Sequence, residues 1–533
     1  MKYRTKIAVC AMTATVSLSA VADSAMPTES ALKWYEQGEQ ATEKAMMDAR
    51  KAASNSRKRA KNIILFVGDG MGVSTVTAAR IYAGQLEGNT GEENRLFFET
   101  FPYQAMSKTY NTNQQTPDSA GTMTAMMTGM KSKAGVISVG QAMARGNCSN
   151  IAGNTLTTAL EHAEKIGMST GIVSTARLTH ATPAATYAHV PERNYEDDRD
   201  ASKFADVSGC KDIASQLIDL KDRYGDGLEV ALGGGRKNFI KRVAGADPEN
   251  GGKGEREDGR DLTAEWLSGY PNSSYVWNQA GFDAVDTAST DHLLGLFNMS
   301  HMEYEEDRAS DAGGEPSLSE MTGKAIEILE KNPKGFFMMV ESGRIDHAHH
   351  AGNAQRALLD TVEYANAVKK AYEMTDPKDT LIIVTADHSH VFTIAGYPTR
   401  GNPILGKVVH NDASGNPELS PKLAKDGLPF TTLGYTNGLG FADLAVGGDT
   451  RYGEPSAAGS RTDLTNIDTE GQGFHQEAMV PLGSETHAAE DVAIYASGPG
   501  ASLFQGTVEQ NVIFHVINKA GRLSKRSKLT PVK

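Results

Sequence analysis

Excess positive charge, long apolar runs and nucleotide-binding loops are all missing from this sequence. Its 533 residues carry a net charge of −13, which argues against nucleic acid as a dedicated partner. Beyond the amino terminus, no stretch is long and apolar enough to span a membrane, and no Walker A loop is present. The composition is otherwise that of an ordinary globular protein, and solubility accounts for the acidity.

Cysteine is nearly absent, with three residues in the whole chain. Cys10 lies in the amino-terminal segment, which has the pattern of a secretory signal, so the mature chain would keep only Cys148 and Cys210. An even pair in an oxidising compartment favours a disulfide. Two buried free thiols are the alternative at this point.

The amino-terminal segment has a positively charged start, a short and mildly apolar middle, and the small residues Ala-Val-Ala at positions 20–22. This is the arrangement of a cleavable signal peptide. We therefore expect a signal peptide over residues 1–22 and a periplasmic or secreted mature chain over 23–533. The context of Cys10 lacks the motif for lipid attachment, so we expect no membrane anchor.

Continuous apolar runs alternate with helical stretches along the chain. The runs lie at residues 62–67, 170–175, 228–233, 335–340, 380–385 and 492–496. Runs that are apolar on both faces, with helices between them, predict an α/β fold with a large, mostly parallel central sheet and helices on both faces.

Two regions stand apart from this alternation. Residues 31–53 have helical composition and predict an N-terminal helix ahead of a basic connector. Residues 398–478 are rich in Gly, Asn, Asp and Thr and have weak periodicity, which predicts a small inserted region within a single domain.

Three of the apolar runs end in acids and histidines. The run at 62–67 leads to Asp69, the run at 335–340 to Glu341, and the run at 380–385 to Asp387 and His388. Because ligands bind beyond the carboxyl ends of strands in open α/β sheets, these endings predict one shared site. The alternative is that these acids are ordinary loop residues that face water. That could explain one such ending, but it is a poor explanation of three.

Residues 341–350 concentrate two acids and three histidines. Asp346 and His350 are four positions apart, so on a helical turn they share a face and can hold one metal ion. His347 lies on a flank and His349 points elsewhere, so we expect His349 to be incidental; spacing does not place His390. A mixed cluster of acids and histidines suits Zn²⁺, and oxygen ligands alone suit Mg²⁺.

Ser119 precedes a run of Ala, Met and Thr with helical character. A serine at a helix amino terminus lies where backbone N–H groups and the helix dipole favour anions. Taken alone, it is more simply interpreted as a helix cap. Beside divalent cations, however, a serine can be a nucleophile without a histidine base, because the cation lowers its pKa.

Together these residues resemble the alkaline phosphatase family. The segments that carry the resemblance, in family order, are DGMGVSTVTAARI, PDSAGTMTA, ATPAATYAHVPER, VESGRIDHAHHAG, TADHSH and GSETHAAEDVAIYA. The resemblance covers about residues 31–520 and is similar to the histidine variant of animal and marine bacterial members. It implies an alkaline-phosphatase-like α/β fold with residues 398–478 as a crown insertion. It also implies hydrolysis of small-molecule phosphate monoesters at alkaline pH through a phosphoserine intermediate.

The resemblance also implies a role for each matching residue. Ser119 would be the nucleophile, and Arg193 would clamp two phosphate oxygens with its planar fork. The first of two zinc ions would be held by Asp346, His350 and His487. The second zinc ion would be held by Asp69, Asp387 and His388. One magnesium ion would be held by Asp69, Thr182 and Glu341.

Around these ligands, the resemblance implies supporting residues. His180 and His347 would modulate magnesium and phosphate binding, and Asp118 would orient Arg193. Members of the family are usually homodimers, with the N-terminal helix reaching the partner, and we expect the same of this chain.

Two further positions bear on the resemblance. Cys148 and Cys210 fall where animal members have a cystine. Animal members also have a calcium site that uses a glutamate where this chain has Asn298, so the sequence leaves that site in question.

Two alternative classes of function are open on the sequence. The first is a related metalloenzyme, either a sulfatase or a phosphodiesterase. Sulfatases need a Cys/Ser-x-Pro-x-Arg motif, and the nearest segment here begins with Gly396 instead, which argues against a sulfatase. Phosphodiesterases generally lack a counterpart of Arg193 and tend to use threonine as nucleophile. The second alternative is a non-catalytic protein that binds metal or phosphate, against which the intact Ser119, Arg193 and ligand set speak.

Overall fold

The computed structural model describes residues 58–204, 209–439 and 461–532, together with six positions between residues 40 and 50. The predicted signal peptide, 1–22, lies outside the described residues, as do most of the predicted helix at 31–53 and positions 440–460 of the predicted insertion. The six described positions between 40 and 50 are helical. The chain forms two compact units, residues 1–50 and 51–533, and the second unit contains the sheet and its helices.

The strands of the second unit are numbered in chain order. They are β1 (Asn62–Gly68), β2 (Tyr103–Lys108), β3 (Ser169–Arg177), β4 (Val230–Gly234), β5 (Ser273–Val276), β6 (His292–Leu296), β7 (Phe336–Ser342), β8 (Thr380–Ala386), β9 (Ser389–His390), β10 (Phe392–Ile394), β11 (Leu433–Gly438), β12 (Ala478–Pro481), β13 (His487–Ala488), β14 (Val492–Ser497) and β15 (Thr507–Glu509).

The α-helices of the second unit are numbered in the same way. They are α1 (Val73–Leu86), α2 (Ser119–Thr128), α3 (Ala159–Lys165), α4 (Ala181–Tyr187), α5 (Asp198–Ala201), α6 (Ile213–Ile218), α7 (Leu220–Arg223), α8 (Leu262–Gly269), α9 (Gln279–Asp283), α10 (Leu318–Leu329), α11 (Arg344–His350), α12 (Ala354–Met374), α13 (Val512–Gly521) and α14 (Leu523–Ser527). Short 3₁₀ turns lie at Phe97–Thr100, Arg236–Asn238, Arg308–Ser310 and Ala501–Leu503.

Ten strands form the central sheet, in the order β15-β2-β14-β8-β1-β7-β3-β4-β6-β5. All neighbouring pairs are parallel except the two that β14 makes with β2 and β8. The predicted large, mostly parallel sheet is therefore confirmed. The exception has a physical reason. Strand β14 begins four residues after β13, and β13 pairs with β9, which follows the carboxyl end of β8. From there β14 can only run back antiparallel to β8, because a parallel strand would need a long crossover.

Both faces of the central strands are buried. Along β1, Ile63, Leu65 and Val67 pack into one apolar core, while Ile64 and Phe66 pack into the other on the opposite face. This alternation follows from the two-residue period of a strand. Full burial of each such side chain stabilises the fold by roughly 1.5–3 kcal/mol, which explains why the run is apolar throughout rather than alternating.

The helices that cover the sheet begin at well-defined caps. The α3 helix begins after Thr158, whose hydroxyl accepts from the N–H of Glu161 while the Glu161 carboxylate accepts from the N–H of Thr158. Ser317 and Glu320 form the same capping box at the start of α10. Each cap satisfies two backbone N–H groups that would otherwise lack partners, so these sequences fix where the helices start.

Two small sheets lie beyond the central one. Strands β10, β11 and β12 form a three-stranded sheet, and β11 belongs to the predicted insertion at 398–478. Strands β9 and β13 form a two-stranded antiparallel pair, in which His390 lies opposite His487. None of the described helices combines the length and the apolarity that crossing a bilayer would require.

The expected disulfide is present between Cys148 and Cys210. Their Cα atoms are 5.8 Å apart, and 62 positions separate them along the chain. Closing a loop of this length restricts the unfolded chain, which in the chain-entropy treatment stabilises the native state by about 4 kcal/mol.

Replacing both cysteines, as Cys148→Ser with Cys210→Ser, should lower the free energy of unfolding by about 2–4 kcal/mol, because the unfolded chain regains the freedom that the cross-link removes. Urea unfolding followed by circular dichroism measures this. The exposed Ser149→Ala variant is the matched control and should unfold like the wild type. Two titratable thiols in the denatured, unreduced wild-type protein would refute the bond.

Candidate metal centre and active site

The acids and histidines predicted from the strand ends converge at one edge of the central sheet. Strands β8, β1 and β7 are neighbours, and their carboxyl ends deliver Asp387, Asp69 and Glu341 respectively. The α11 helix begins two residues after β7 and brings Asp346 to the same edge. All four carboxylates are buried, with side chains that reach solvent hardly at all.

The first cluster consists of Asp346, His350 and His487. Nε2 of His350 is 3.0 Å from Nε2 of His487 and 3.4 Å from Oδ1 of Asp346. Nε2 of His487 is 3.3 Å from the same Oδ1. A tetrahedral zinc ion with bonds of 2.0–2.1 Å keeps its ligand atoms about 3.3 Å apart. The three donor atoms therefore fit one face of a zinc coordination tetrahedron.

The second cluster consists of Asp69, Asp387 and His388. Nε2 of His388 is 3.3 Å from Oδ1 of Asp69 and 3.3 Å from Oδ2 of Asp387. The hydroxyl of Ser119 lies next to this cluster. Its Oγ is 3.2 Å from Nε2 of His388 and 3.5 Å from Oδ1 of Asp69. These separations again match the edges of a zinc tetrahedron, here with Ser119 at the fourth corner.

Backbone contacts fix which nitrogen each histidine offers. Nδ1 of His350 lies 2.6 Å from the carbonyl oxygen of Glu485, and Nδ1 of His487 lies 2.8 Å from that of Pro117. Nδ1 of His388 is 3.3 Å from the carbonyl of Ser389. Since a carbonyl only accepts, Nδ1 carries the proton in each ring and Nε2 remains free to bind a metal, the usual arrangement of zinc-binding histidines.

The third group is made of oxygen atoms that lack partners. Oδ2 of Asp69, Oε1 of Glu341 and Oγ1 of Thr182 are buried and make no hydrogen bond within the described residues. Leaving such atoms unsatisfied costs about 1–3 kcal/mol each, and more for charged groups. A hard cation with oxygen ligands, such as Mg²⁺, would satisfy all three.

Burial strongly perturbs the carboxyl groups of the site. Burial, reinforced by the charges of Asp387 and Asp346, raises the pKa of Asp69 well above its ordinary value. Burial likewise raises the pKa of Asp387 and brings that of Glu341 to about 7. Bound cations remove this penalty, because they stabilise the charged form of a buried carboxylate. The chemistry of the donor set therefore fits divalent cations.

Asp346 behaves differently because histidines surround it. Burial alone would raise its pKa, but the neighbouring His350 and the hydrogen bond from His390 lower it well below the ordinary value. His388 has the opposite shift, since burial lowers its pKa well below the usual range. The result is an ionised carboxylate facing a neutral imidazole, which are the forms that bind a metal.

Ser119 is the first residue of α2, and Asp118 is its cap. Oδ1 of Asp118 accepts from the N–H of Gly121 at 3.1 Å, so Ser119 lies at the helix amino terminus as predicted. The other carboxylate oxygen, Oδ2, accepts from Nη1 of Arg193 at 3.2 Å and from the N–H of Gly135 at 2.8 Å. Asp118 thus caps the helix and holds the guanidinium group at once.

Arg193 also contacts His180, whose Nε2 lies 3.1 Å from Nη2 of the arginine. The other nitrogen of His180, Nδ1, is buried and has no partner within the described residues. The imidazole of His347 is 5.5 Å from that of His180, measured between ring centroids, and Nδ1 of His347 is 3.3 Å from Nη1 of Arg344. His180 therefore lies beside Asp69 and Glu341 of the third group, and His347 lies next to His180.

His390 belongs to the site, although spacing did not place it. Its Nε2 is 2.9 Å from Oδ1 of Asp346, and its Nδ1 is 2.6 Å from Oε2 of Glu485. Burial lowers its pKa, but the two carboxylates outweigh this and raise it to about 10. The placement of His390 depends on the β9–β13 pair, in which it lies opposite His487, and on Glu485, which lies two residues before His487.

His349 makes structural contacts that its spacing in the sequence did not indicate. The side chain is fully buried, with Nε2 2.9 Å from the hydroxyl of Thr75 and Nδ1 2.9 Å from that of Tyr435. Its ring lies 4.8 Å from the ring of His390, between centroids. His349 points away from the first cluster, as predicted, and its hydrogen bonds join α11 to α1 and to β11.

His301 is a further residue that sequence reasoning missed. It follows β6, and its ring centroid is 4.0 Å from that of His347 and 5.2 Å from that of His180. Arg177 donates to it and forms a two-pronged ion pair with Glu196. The strand before it, His292–Leu296, was not among the predicted runs, so no signal pointed to its carboxyl end.

Two other sequence patterns take no part in the site. Nδ2 of Asn298 donates to Oε1 of Glu315 at 2.9 Å, so the position where animal members have a calcium-binding glutamate carries a neutral amide with a partner. A Gly-x-Ser-x-Gly pattern at 167–171 is typical of serine hydrolases, but its Ser169 begins β3 and lies at the opposite edge of the sheet.

The comparisons with known proteins agree with this geometry. A family model described as alkaline phosphatase matches residues 60–523. The tissue-nonspecific alkaline phosphatase isozyme of Rattus norvegicus is 45% identical over 486 residues, which cover 90% of this chain and 87% of the relative. The corresponding isozyme of Homo sapiens is 43% identical over 493 residues, covering 91% and 87%.

Solved structures show the same fold. The alkaline phosphatase of Thermus thermophilus aligns with a TM-score of 0.61 at 23% identity, covering 90% of this chain and 95% of that one. A cold-active alkaline phosphatase from a psychrophilic Shewanella species aligns with a TM-score of 0.57 at 25% identity, covering 86% and 99%. The family match and the similar curated relatives establish that the chain belongs to the alkaline phosphatase family.

Proposed function

We propose that the chain hydrolyses small-molecule phosphate monoesters at alkaline pH through a phosphoserine intermediate on Ser119. Membership of the family supports monoester hydrolysis as such. The observation that carries the finer proposal is the position of the Ser119 Oγ, 3.2 Å from Nε2 of His388 and 3.5 Å from Oδ1 of Asp69. A first-turn serine that served only the helix would have no need of this contact with a ligand cluster.

Two zinc ions and one magnesium ion are the cations we propose. Asp346, His350 and His487 would hold one zinc ion, and Asp69, Asp387 and His388 the other. Asp69, Thr182 and Glu341 would hold the magnesium ion. When bound, these cations lower the pKa of a neighbouring hydroxyl and stabilise charge on the attacking and leaving oxygens of an in-line displacement.

The reaction then depends on how the protein positions the phosphoryl group. The guanidinium of Arg193, held by Asp118 at 3.2 Å, presents parallel N–H donors to two phosphoryl oxygens. The amino terminus of α2 adds backbone N–H groups at the same place. Ser119 Oγ attacks phosphorus and the alcohol leaves from the opposite side. Water then attacks the phosphoserine from the vacated side and releases inorganic phosphate and Ser119.

We also propose the assembly and location of the enzyme. The signal-like segment at 1–22 and the Cys148–Cys210 disulfide support export to the periplasm or the medium, where disulfides persist. Residues 23–533 would form one domain with an N-terminal helix and the insertion at 398–478. A homodimer is expected from the family. No nucleic acid partner or membrane anchor is part of the proposal.

Replacing the proposed nucleophile, as Ser119→Ala, should lower kcat for p-nitrophenyl phosphate by about 10³-fold or more, because the covalent route is lost. Acid quenching with ³²P-labelled substrate should trap label on the wild-type protein and none on the variant. The matched control is Ser317→Ala, which removes a serine at the start of a different helix, α10, and should keep full activity. Full activity or trapped label in Ser119→Ala would contradict the covalent scheme.

Replacing the proposed clamp, as Arg193→Ala, should lower kcat/KM for p-nitrophenyl phosphate by about 10²-fold, the usual effect of losing one transition-state donor. The wild type should strongly prefer this monoester to bis(p-nitrophenyl) phosphate. In the variant, the ratio of kcat/KM for the monoester to kcat/KM for the diester should fall. The reason is that a diester offers the Arg193 guanidinium one fewer unsubstituted oxygen, so it gains less from this side chain.

The Arg193→Lys variant should recover only part of the loss, since an ammonium group cannot bind two oxygens in parallel. Arg242→Ala is the distant control, because Arg242 pairs with Glu257 at the surface. A wild-type preference for the diester, or an unchanged preference in Arg193→Ala, would move the chain towards the phosphodiesterase alternative.

A further inference from the structure

A basic cavity of about 670 Å³ lies on the second unit, away from the site described above. Its walls carry the basic side chains of Arg59, Lys519, Arg522 and Lys525, with Lys58 at the same rim. No aspartate or glutamate is among its lining residues within the described part of the chain. Such a concentration of one charge is unexpected in a protein whose net charge is −13.

The cavity forms where two acid-free segments of the chain meet. Neither residues 51–68 nor residues 510–533 contain a single acidic residue, although the chain has 66 of them. The first segment leads into β1 and the second contains α13 and α14. The N–H of Ala60 donates to the carbonyl of Ala520 at 3.0 Å, which brings the two segments together.

Four of these five basic side chains are exposed and have no carboxylate partner among the described residues. Within the described residues, Arg59, Lys519, Arg522 and Lys525 make no ion pair, whereas the buried Arg236 and Arg256 each bind carboxylates. Burial and the charge of Arg59 lower the pKa of the adjacent Arg526.

Helix electrostatics account for part of the cluster only. Lys519 lies in the last turn of α13, where a cation complements the helix dipole. That explanation does not extend to Arg59, which comes from a different segment of the chain. A bound anion would balance all of these charges.

The cavity is separate from the metal site. Ala60 precedes β1, while Asp69 follows its carboxyl end. The strand has seven residues and rises about 3.3 Å per residue, so the two sites lie at opposite edges of the sheet, about 20 Å apart. Ligand bound in the cavity therefore cannot be substrate on its way to Ser119.

We propose that this cavity is a second, non-catalytic binding site for phosphate groups. Guanidinium forks and ammonium groups are the side chains that proteins use to bind phosphate oxygens. The volume is within the range of sites for small molecules. The phosphate group belongs either to free inorganic phosphate, the product of the proposed reaction, or to an anionic phospholipid headgroup. Both sources would be recognised by the same side chains, and the experiment below distinguishes them.

The test uses the full metal-loaded enzyme and a variant with three charges removed from the cavity, Lys519→Gln, Arg522→Gln and Lys525→Gln. The matched control removes three exposed lysines elsewhere, Lys378→Gln, Lys422→Gln and Lys425→Gln, and changes the net charge equally. Both triple variants should hydrolyse p-nitrophenyl phosphate at the wild-type rate, which shows that they fold. Equilibrium dialysis with ³²P-phosphate at low ionic strength counts bound phosphate per chain. Flotation with phosphatidylglycerol and phosphatidylcholine vesicles measures headgroup binding.

If free phosphate is the ligand, the wild type and the control should bind two phosphates per chain and the cavity variant one. If headgroups are the ligand, all three proteins bind one phosphate, and only the cavity variant loses flotation with phosphatidylglycerol. Equal phosphate binding and equal flotation in all three proteins would overturn the proposal. An equal loss of phosphate binding or of flotation in both triple variants would also overturn it, because the loss would then be due to net charge alone.

Discussion

Four buried carboxylates at one edge of a parallel sheet are the constraint on which the rest of the structure depends. Asp69, Glu341, Asp346 and Asp387 come together because β8, β1 and β7 are neighbours and end at the same edge. Removing each ionised group from water costs several kcal/mol unless an opposite charge repays it. The fold can tolerate this concentration because the edge also carries histidines and because bound cations would offset the negative charge.

The surrounding layer makes sense in relation to this constraint. His390 and Glu485 hold Asp346 from one side, and His349 braces the same region against Thr75 and Tyr435. Through Tyr435, a strand of the predicted insertion becomes part of the support for the first cluster. On the other side, Asp118 joins the start of α2 to Arg193. Arg193 and Asp346 are thus each held in place by a buried or half-buried neighbour that is not itself in the proposed ligand set.

Much of this arrangement could be predicted from the sequence, for identifiable reasons. The parallel sheet follows from apolar runs with two buried faces, and the shared site follows from three runs that end in acids. The i, i+4 spacing placed Asp346 and His350 on one helical face, and their ligand atoms are indeed 3.4 Å apart. Thr182 and His487, in contrast, came only from the family resemblance, because neither has a local pattern that distinguishes it from a loop residue.

The gaps in the prediction also have physical causes. Helical spacing turns His349 away from Asp346, but spacing carries no information about the side chains that pack on the opposite face. The position of His390 depends on the two-stranded pair of β9 and β13, which no single segment reveals. The position of His301 depends on the end of β6, a strand that the apolar runs did not predict. The antiparallel direction of β14 depends on the short connection from β13 and not on the apolar pattern, which is the same for either direction.

The most direct test of the account is anomalous diffraction from crystals of the metal-loaded enzyme, recorded above and below the zinc absorption edge. We predict two zinc peaks, one bonded to Asp346, His350 and His487 and the other to Asp69, Asp387 and His388. A third density without zinc signal should lie among Asp69, Thr182 and Glu341. Zinc peaks at other residues, or well-ordered carboxylates with no cation density between them, would contradict the central claim.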